Sequence, residues 1–329
     1  MSKVSEPLPN ELFSSWLFRQ GAIPRVGKLP LYDLVEIYQD CMQKGDFYPD
    51  FDQYSEFVSR SLKQLELSRS DFDSFSQKCS WLIPRYYRGA FCYHCFCDHI
   101  QQFKVPTMLA EWCSVFHTVC SIHLVPLLDT PGVYNYKLSM ALKLFGYYHA
   151  ANNIVFKAHS GLEIEAMPAL LSVQAYMFRV ENSILSEGVD DSKWRLIQLL
   201  IRVFLYPRHG IITSLFPKQA INTDTQLFRY NLHVGPLASN VARRRLATLL
   251  TGLILDVVED GDRPIAERYL RSFDQRHHYF DNFSGLGRSA NVFTQDRGRQ
   301  LSTQLIELSR NIYNPHLDGF ISGFSGRFR

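Results

Sequence analysis

Four residues in two matched pairs constrain this chain more than any other feature. Cys92 and Cys95 sit three apart in Phe91-Cys92-Tyr93-His94-Cys95, and Cys120 and His123 repeat that spacing 25 residues later. Two such knuckles supply four nitrogen or sulfur ligands, the number and softness that a closed tetrahedral zinc site requires. The competing reading is of scattered buried thiols, since free cysteine is among the most buried residue types. Both halves of the motif occur in order at a suitable separation, which favours the metal. His94, Cys97, His99, Cys113 and His117 could each replace one of the four ligands. No further CxxC pair exists, so one zinc ion per chain is expected. Four protein ligands would fill its tetrahedron and leave no place for a catalytic water, so the site is expected to be structural. The seven cysteines agree with this: the count is odd, and five fall within 29 positions, a clustering that suits metal better than disulfides.

Around the knuckles the patterning is helical, and the expected fold is mainly α in three parts. Residues 1–84 read as a domain of short helices that resembles a helix-turn-helix, a pattern that any small helical bundle shares. Asn10 is placed to cap a helix carrying Leu12, Phe13, Trp16 and Leu17 and ending at Gly21. Leu31, Leu34, Val35, Tyr38 and Met42 form a second stripe closed by Gly45, and Tyr54, Phe57, Val58, Leu62 and Leu65 a third. Ser70 and Asp73 have capping-box spacing. Pro84 breaks the pattern. Residues 85–135 show no sustained 3.6 period and read as a small zinc-finger or ribbon segment, held by an ion in place of a large apolar face. Residues 136–329 read as a helical domain. Its stripes are Leu138, Ala141, Leu142 and Phe145; Trp194, Ile197, Ile201 and Leu205; and a helix opened by Arg243–Arg245 that runs on to Leu255. A last helix around Leu305 stops near Pro315, and the Gly-, Ser-, Asn- and Arg-rich run Asn282–Arg299 reads as a loop.

Composition narrows the function. The 329 residues are 46% hydrophobic, enough for a proper core, and the formal net charge is only +3, too small to drive tight nucleic-acid binding without a local patch. Candidate nucleic-acid contacts are Arg85 and Arg88, which flank two tyrosines before the first knuckle, and Arg243, Arg244 and Arg245. Arg288, Arg297 and Arg299 lie in the Gly-rich run. Each cluster also reads as an ordinary solvated face. Catalytic signatures are missing from the sequence: it has no GxxxxGK[ST] loop, no GxSxG elbow, no HExxH and no deaminase pair of HxE and PCxxC. Gly323-Phe324-Ser325-Gly326 is read as part of a polar tail. His277-His278 and the acidic pairs Asp190/Asp191 and Glu259/Asp260 read as filler and helix-end charges, so no enzyme is expected. Met1–Asn10 holds no apolar run and the longest apolar stretches reach about half a bilayer span, which points to a cytoplasmic protein with no membrane partner.

Two blocks of residues resemble a known family. Pro7-Leu8-Pro9-Asn10-Glu11-Leu12-Phe13-Ser14-Ser15-Trp16-Leu17-Phe18-Arg19 is similar to the opening of TniQ (TnsD-like) transposon-targeting proteins. Arg88 to Asp98 resembles their first zinc knuckle, with Tyr93 where the family usually has proline. Trp112, then Val119 through Asp129, resembles the second knuckle and the apolar strand behind it. The resemblance covers about residues 7–131 and implies an adaptor. TniQ-like proteins link a target-site recogniser to the transposon's AAA+ ATPase, TnsC, which recruits the transposase. Some read target DNA themselves; CRISPR-associated members ride on an RNA-guided Cascade ribonucleoprotein, where they can be homodimers arranged head to tail. The short chain and small charge lean towards the Cascade-riding kind. The alternatives are a zinc-containing, sequence-specific DNA-binding protein that reads the attachment site itself and, behind it, a zinc-dependent nucleic-acid enzyme.

Overall fold

The computed structural model describes residues 6–22, 44–45, 48–75, 79–103, 106–129, 160–187, 190–207, 209–216, 227–273 and 282–326. The fold is mainly helical, as expected. Its contacts divide the chain into two units: Met1–His117 with Leu127–Ala158, and Thr118–Pro126 with His159–Arg329. In chain order the first unit carries α1 (Phe13–Ala22), α2 (Glu56–Gln64), α3 (Arg69–Phe72), β1 (Ala90–Phe91) and α4 (Tyr93–Phe103). The hairpin of β2 (Val119–Cys120) and β3 (Val125–Pro126) belongs to the second unit, and β4 (Leu128–Asp129) returns to the first, where it pairs antiparallel with β1. The second unit continues with α5 (Gly161–Glu165), α6 (Met167–Glu187), α7 (Ser192–Phe204), α8 (Ile211–Ser214), α9 (Phe228–Ala238), α10 (Val241–Ile254), α11 (Arg263–Phe273), α12 (Phe283–Ala290), α13 (Gln295–Ser309) and α14 (Pro315–Gly326).

In the first unit a ring cluster forms the core. Phe13 meets Trp16, Phe57, Phe72 and Phe75 with centroids 5.1–5.9 Å apart, mostly edge to face, the arrangement that aromatic quadrupoles favour. Two buried ion pairs flank it. Arg19 donates to Glu11 at 2.7 Å, and Glu11 also accepts from the Leu8 amide at 2.9 Å. Arg88 donates to Asp50 at 3.2 Å and to the Ile83 carbonyl at 2.8 Å, while its guanidinium lies 5.0 Å from the Phe51 ring. Extra hydrogen bonds of this kind make a buried pair tolerable, because desolvation otherwise outweighs the attraction.

Several local readings change. Asn10 does not cap α1; it sits in a left-handed turn at φ 61°, and the buried Ser14 amide of the first turn is bound instead by the Asp50 carboxylate at 2.8 Å, 36 residues away. Helix α1 also runs through Gly21. The capping box forms at Ser68 and Asp71, not Ser70 and Asp73. In the third stripe Phe57, Val58 and Leu62 are buried, whereas Tyr54 is exposed. A full helix, α4, occupies part of the segment read as aperiodic, since its cysteines and histidines mask the 3.6 period. The stripes Leu31–Met42 and Leu138–Phe145 and the pair His277-His278 lie outside the described residues.

The second unit is built on α6, α7 and α10. The Trp194–Leu205 stripe becomes α7, with Trp194, Ile197, Ile201 and Leu205 all buried. Helix α10 starts where expected, with Asn240 accepting from the Arg243 amide at 2.9 Å. Asp190 caps the start of α7 through Ser192, which holds its carboxyl below the usual range. The run Asn282–Arg299 is not a loop. It contains α12 and the start of α13, and Asn282 caps α12 through the Gly285 amide at 2.6 Å. Its glycines serve helix contact: a Cβ on Gly287 would fall on the Phe320 carbonyl oxygen, and one on Gly323 on the Ser284 carbonyl oxygen. The supposed polar tail at Gly323–Gly326 is therefore the last turn of α14, with Gly323 buried and Phe324 fully enclosed. Pro315 opens that helix at its first position, and the Asn314 side chain accepts from the His316 and Leu317 amides at 2.9 and 3.1 Å.

Helix propensity alone says that Gly323→Ala should stabilise by about 1 kcal/mol. The backbone contact says the opposite, and overpacking of this kind costs about 1–3 kcal/mol. Urea unfolding is expected to show a net loss for Gly323→Ala, whereas Gly326→Ala, with open space around it, is neutral or stabilising. Equal effects of the two would remove the close-approach account.

Candidate metal centre

The ligand cluster grows out of short, local structures. Cys92 follows β1 directly, and its carbonyl accepts from the Phe96 amide at 3.1 Å as α4 begins. Cys95 lies in the first turn of α4. Phe91 stacks on Phe96 at 4.8 Å, and Phe96 packs against Trp112 at 5.9 Å, so the knuckle rests on an aromatic floor. Cys120 ends β2. The turn after it closes with the Leu124 amide donating to the Cys120 carbonyl at 3.0 Å, carries His123, and requires Leu124 to adopt φ 52°.

These elements bring Cys92, Cys95, Cys120 and His123 together, with ligand atoms all within 4.8 Å of one another. The three cysteines are buried, and His123 is half-buried. For a tetrahedral ion with metal–sulfur bonds of about 2.3 Å and metal–nitrogen bonds of about 2.0 Å, the sulfur–nitrogen edge is about 3.5 Å. The Cys120 Sγ to His123 Nδ1 separation is 3.7 Å. The cluster is thus able to hold one metal ion, through three thiolates and the Nδ1 of an imidazole.

The other five candidate ligands are engaged elsewhere. His99 Nδ1 pairs with the Thr107 hydroxyl, His117 Nε2 faces Glu111 at 3.4 Å, and Cys113 packs with Leu12 and Ala110. His94 packs edge-on against Tyr93, and Cys97 lies beside the same ring, its thiol pushed up by burial.

The hairpin that carries Cys120 and His123 is anchored within the second unit by side chains that the sequence does not advertise. Gln174 of α6 acts as a substitute strand. Its Oε1 accepts from the Thr118 and Val119 amides at 2.8 and 3.1 Å, and its Nε2 donates to the Val119 carbonyl at 3.1 Å. Arg245 of α10 donates to the Thr118 carbonyl at 3.3 Å and to Glu163 at 2.5 Å. Glu163 also accepts from Tyr269, whose phenol is pushed up to about 12, chiefly by burial. A glutamine in a helix reads as a surface residue, and only its burial reveals the role.

Of the arginines proposed from sequence as nucleic-acid contacts, four are turned inward, whereas Arg288, Arg297 and Arg299 are exposed. Arg88 is 3% exposed and held by Asp50; Arg243 and Arg244 are 1% and Arg245 4% exposed. Arg243 donates to the Phe216 carbonyl at 2.8 Å, and burial pulls its guanidinium below the usual arginine range. Fully enclosed cations of this kind cannot meet phosphate, so these four are structural. Arg85, on a short 3-10 turn, is half-buried. Trp16 is core.

No protein-family model matches the chain, and no curated protein or solved structure matches it either. Among the described residues, no helix is long and apolar enough to cross a membrane.

Gln174→Leu keeps the helix but orphans three backbone groups, each worth about 1–3 kcal/mol when buried without a partner. The variant is expected to unfold at lower urea and, when loaded with a metal ion, to release it to a chelator faster than the parent. Unchanged metal release would show that the hairpin holds its shape without Gln174.

Proposed function

We propose that the cluster holds one structural zinc ion and that the protein is a TniQ-like adaptor for transposition targeting. In this reading it couples an RNA-guided Cascade complex to the transposon's AAA+ ATPase. The observation that carries the proposal is the convergence of Cys92, Cys95, Cys120 and His123, because the two segments bearing them are the ones that resemble the family's knuckles. The opening block supports it as well: its acidic residue and its arginine, Glu11 and Arg19, form a buried ion pair, which accounts for both in one structural role. Zinc is the ion that three thiolates and one imidazole suit best, and four protein ligands give a closed, non-catalytic site. An adaptor role is favoured over direct reading of an attachment site by the burial of Arg88 and Arg243–Arg245, which withdraws four of the eight arginines that the sequence offered to a duplex.

Metal analysis of the purified protein should find about one zinc per chain, the content of a single closed site. Cys92→Ser and His123→Ala should lower that content and leave the protein partly unfolded by circular dichroism, since binding energy here is folding energy. Normal folding without zinc would remove the metal from the account.

For the adaptor role the test is a pair of titrations at near-physiological salt. Duplex DNA should bind the lone chain only at about micromolar concentration or weaker, with little sequence preference. The neighbour-encoded ATPase and ribonucleoprotein should bind far more tightly. Nanomolar, sequence-specific binding of duplex by the chain alone would instead make it a target reader.

A further inference from the structure

Three helices of the second unit, α10, α11 and α12, line a cleft of about 440 Å³, counting its open mouth. Its floor is aliphatic. Leu250 and Leu253 of α10, Leu270 of α11 and Leu286 of α12 form it, each no more than 2% exposed. Phe283 makes one wall. His316 stacks on that ring at 4.6 Å, and its Nδ1 lies 3.4 Å from Arg263 and 3.6 Å from Asp256, so the wall is fixed in place. Three polar side chains complete the lining: Glu267 and Arg271, one turn apart on α11, and Asn282 at the start of α12. The Glu267–Arg271 pair spans 3.4 Å with its partners 35% and 53% exposed, and exposed pairs of that kind hold weakly. Asn282 caps α12 with its Oδ1, and its Nδ2 makes no hydrogen bond among the described residues.

We infer that this cleft binds a free α-amino acid with a branched aliphatic side chain. The lining presents a cation, an anion and an apolar floor within one small site. A simple carboxylic acid would answer Arg271 and leave Glu267 facing it; a simple amine would answer Glu267 and leave Arg271. An α-amino acid carries both charges on one carbon. Its carboxylate accepts from the Arg271 guanidinium and the Asn282 amide, its ammonium donates to Glu267, and its side chain covers the leucines. Charge-assisted bonds and the burial of an aliphatic group together supply the affinity. A partner's helix, about 10–12 Å across, is too wide for the cleft. One small molecule on a largely preformed surface is the occupant that fits. Reading Asn282–Arg299 as a loop hides this site, because α12 is its third side.

The inference rests on neither the metal nor the adaptor reading, and it is tested on the full chain by isothermal titration calorimetry. L-Leucine or L-valine should bind with a dissociation constant of about 1 mM or tighter, a modest demand for a ligand of this size. Isocaproate, which lacks the ammonium, and L-leucinamide, which lacks the carboxylate, should each bind at least about tenfold more weakly, because one charged side chain then stays unanswered. Arg271→Ala and Glu267→Gln should each weaken L-leucine about tenfold. Arg268→Ala, whose guanidinium pairs with Glu165 and does not line the cleft, should change nothing. Circular dichroism confirms that each variant is folded. No binding of either amino acid at about 10 mM, by calorimetry or ligand-observed NMR, would overturn the inference. So would equally tight binding of isocaproate or leucinamide, or folded cleft variants that bind L-leucine like the parent.

Discussion

Among the described residues the strands are too short to hold themselves. Each of their two ladders is two residues long, β1 with β4 and β2 with β3, and isolated hairpins of that size are marginal in water. Yet β1 and β2 deliver three of the four ligands, directly or by their first following turn. In the zinc reading the geometry of the cysteine-rich segment would depend on the ion, because ion–ligand bonds would supply the free energy that backbone pairing does not. The surrounding devices only prepare for it: an aromatic floor under the first knuckle, and Gln174 completing the hydrogen bonds of the second.

Three ion pairs lie inside this fold. Glu11–Arg19, Asp50–Arg88 and Glu163–Arg245 are all buried, and removing one partner from such a pair costs about 3–5 kcal/mol because the other is left uncompensated. Each pair also satisfies backbone groups, so it fixes a segment in place as well as neutralising a charge. Asp50 shows this most directly, bonding an amide at the start of α1 with one oxygen and Arg88 with the other.

What the sequence revealed, and what it hid, follows from the range of the interactions. The ligands were legible because a CxxC or CxxH spacing is local and chemically specific, and α7 and α10 were legible because a long apolar stripe repeats every three to four residues. The capping of α1 was not, since Asn10 is a plausible local cap and the residue that does the capping lies 36 positions away. The run Asn282–Arg299 was misread for a related reason. Glycine signals a loop unless a second helix is known to press on it, and that helix, α14, comes later in the chain. Arg243–Arg245 looked like a charged face because nothing local announces that Glu163 and the Phe216 carbonyl will reach them.

Leu124 carries a consequence for metal exchange. A leucine at φ 52° bears a left-handed backbone penalty of about 1–2 kcal/mol, and it sits immediately after the ligand His123. Where ion binding holds the turn in that shape, release of the ion lets it relax. Affinity is then lower by a factor of about five to thirty than the same four donors would give on an unstrained turn. In the zinc reading the hairpin would be a sprung latch, and His123, the half-buried member beside three enclosed sulfurs, the place where solvent reaches it first.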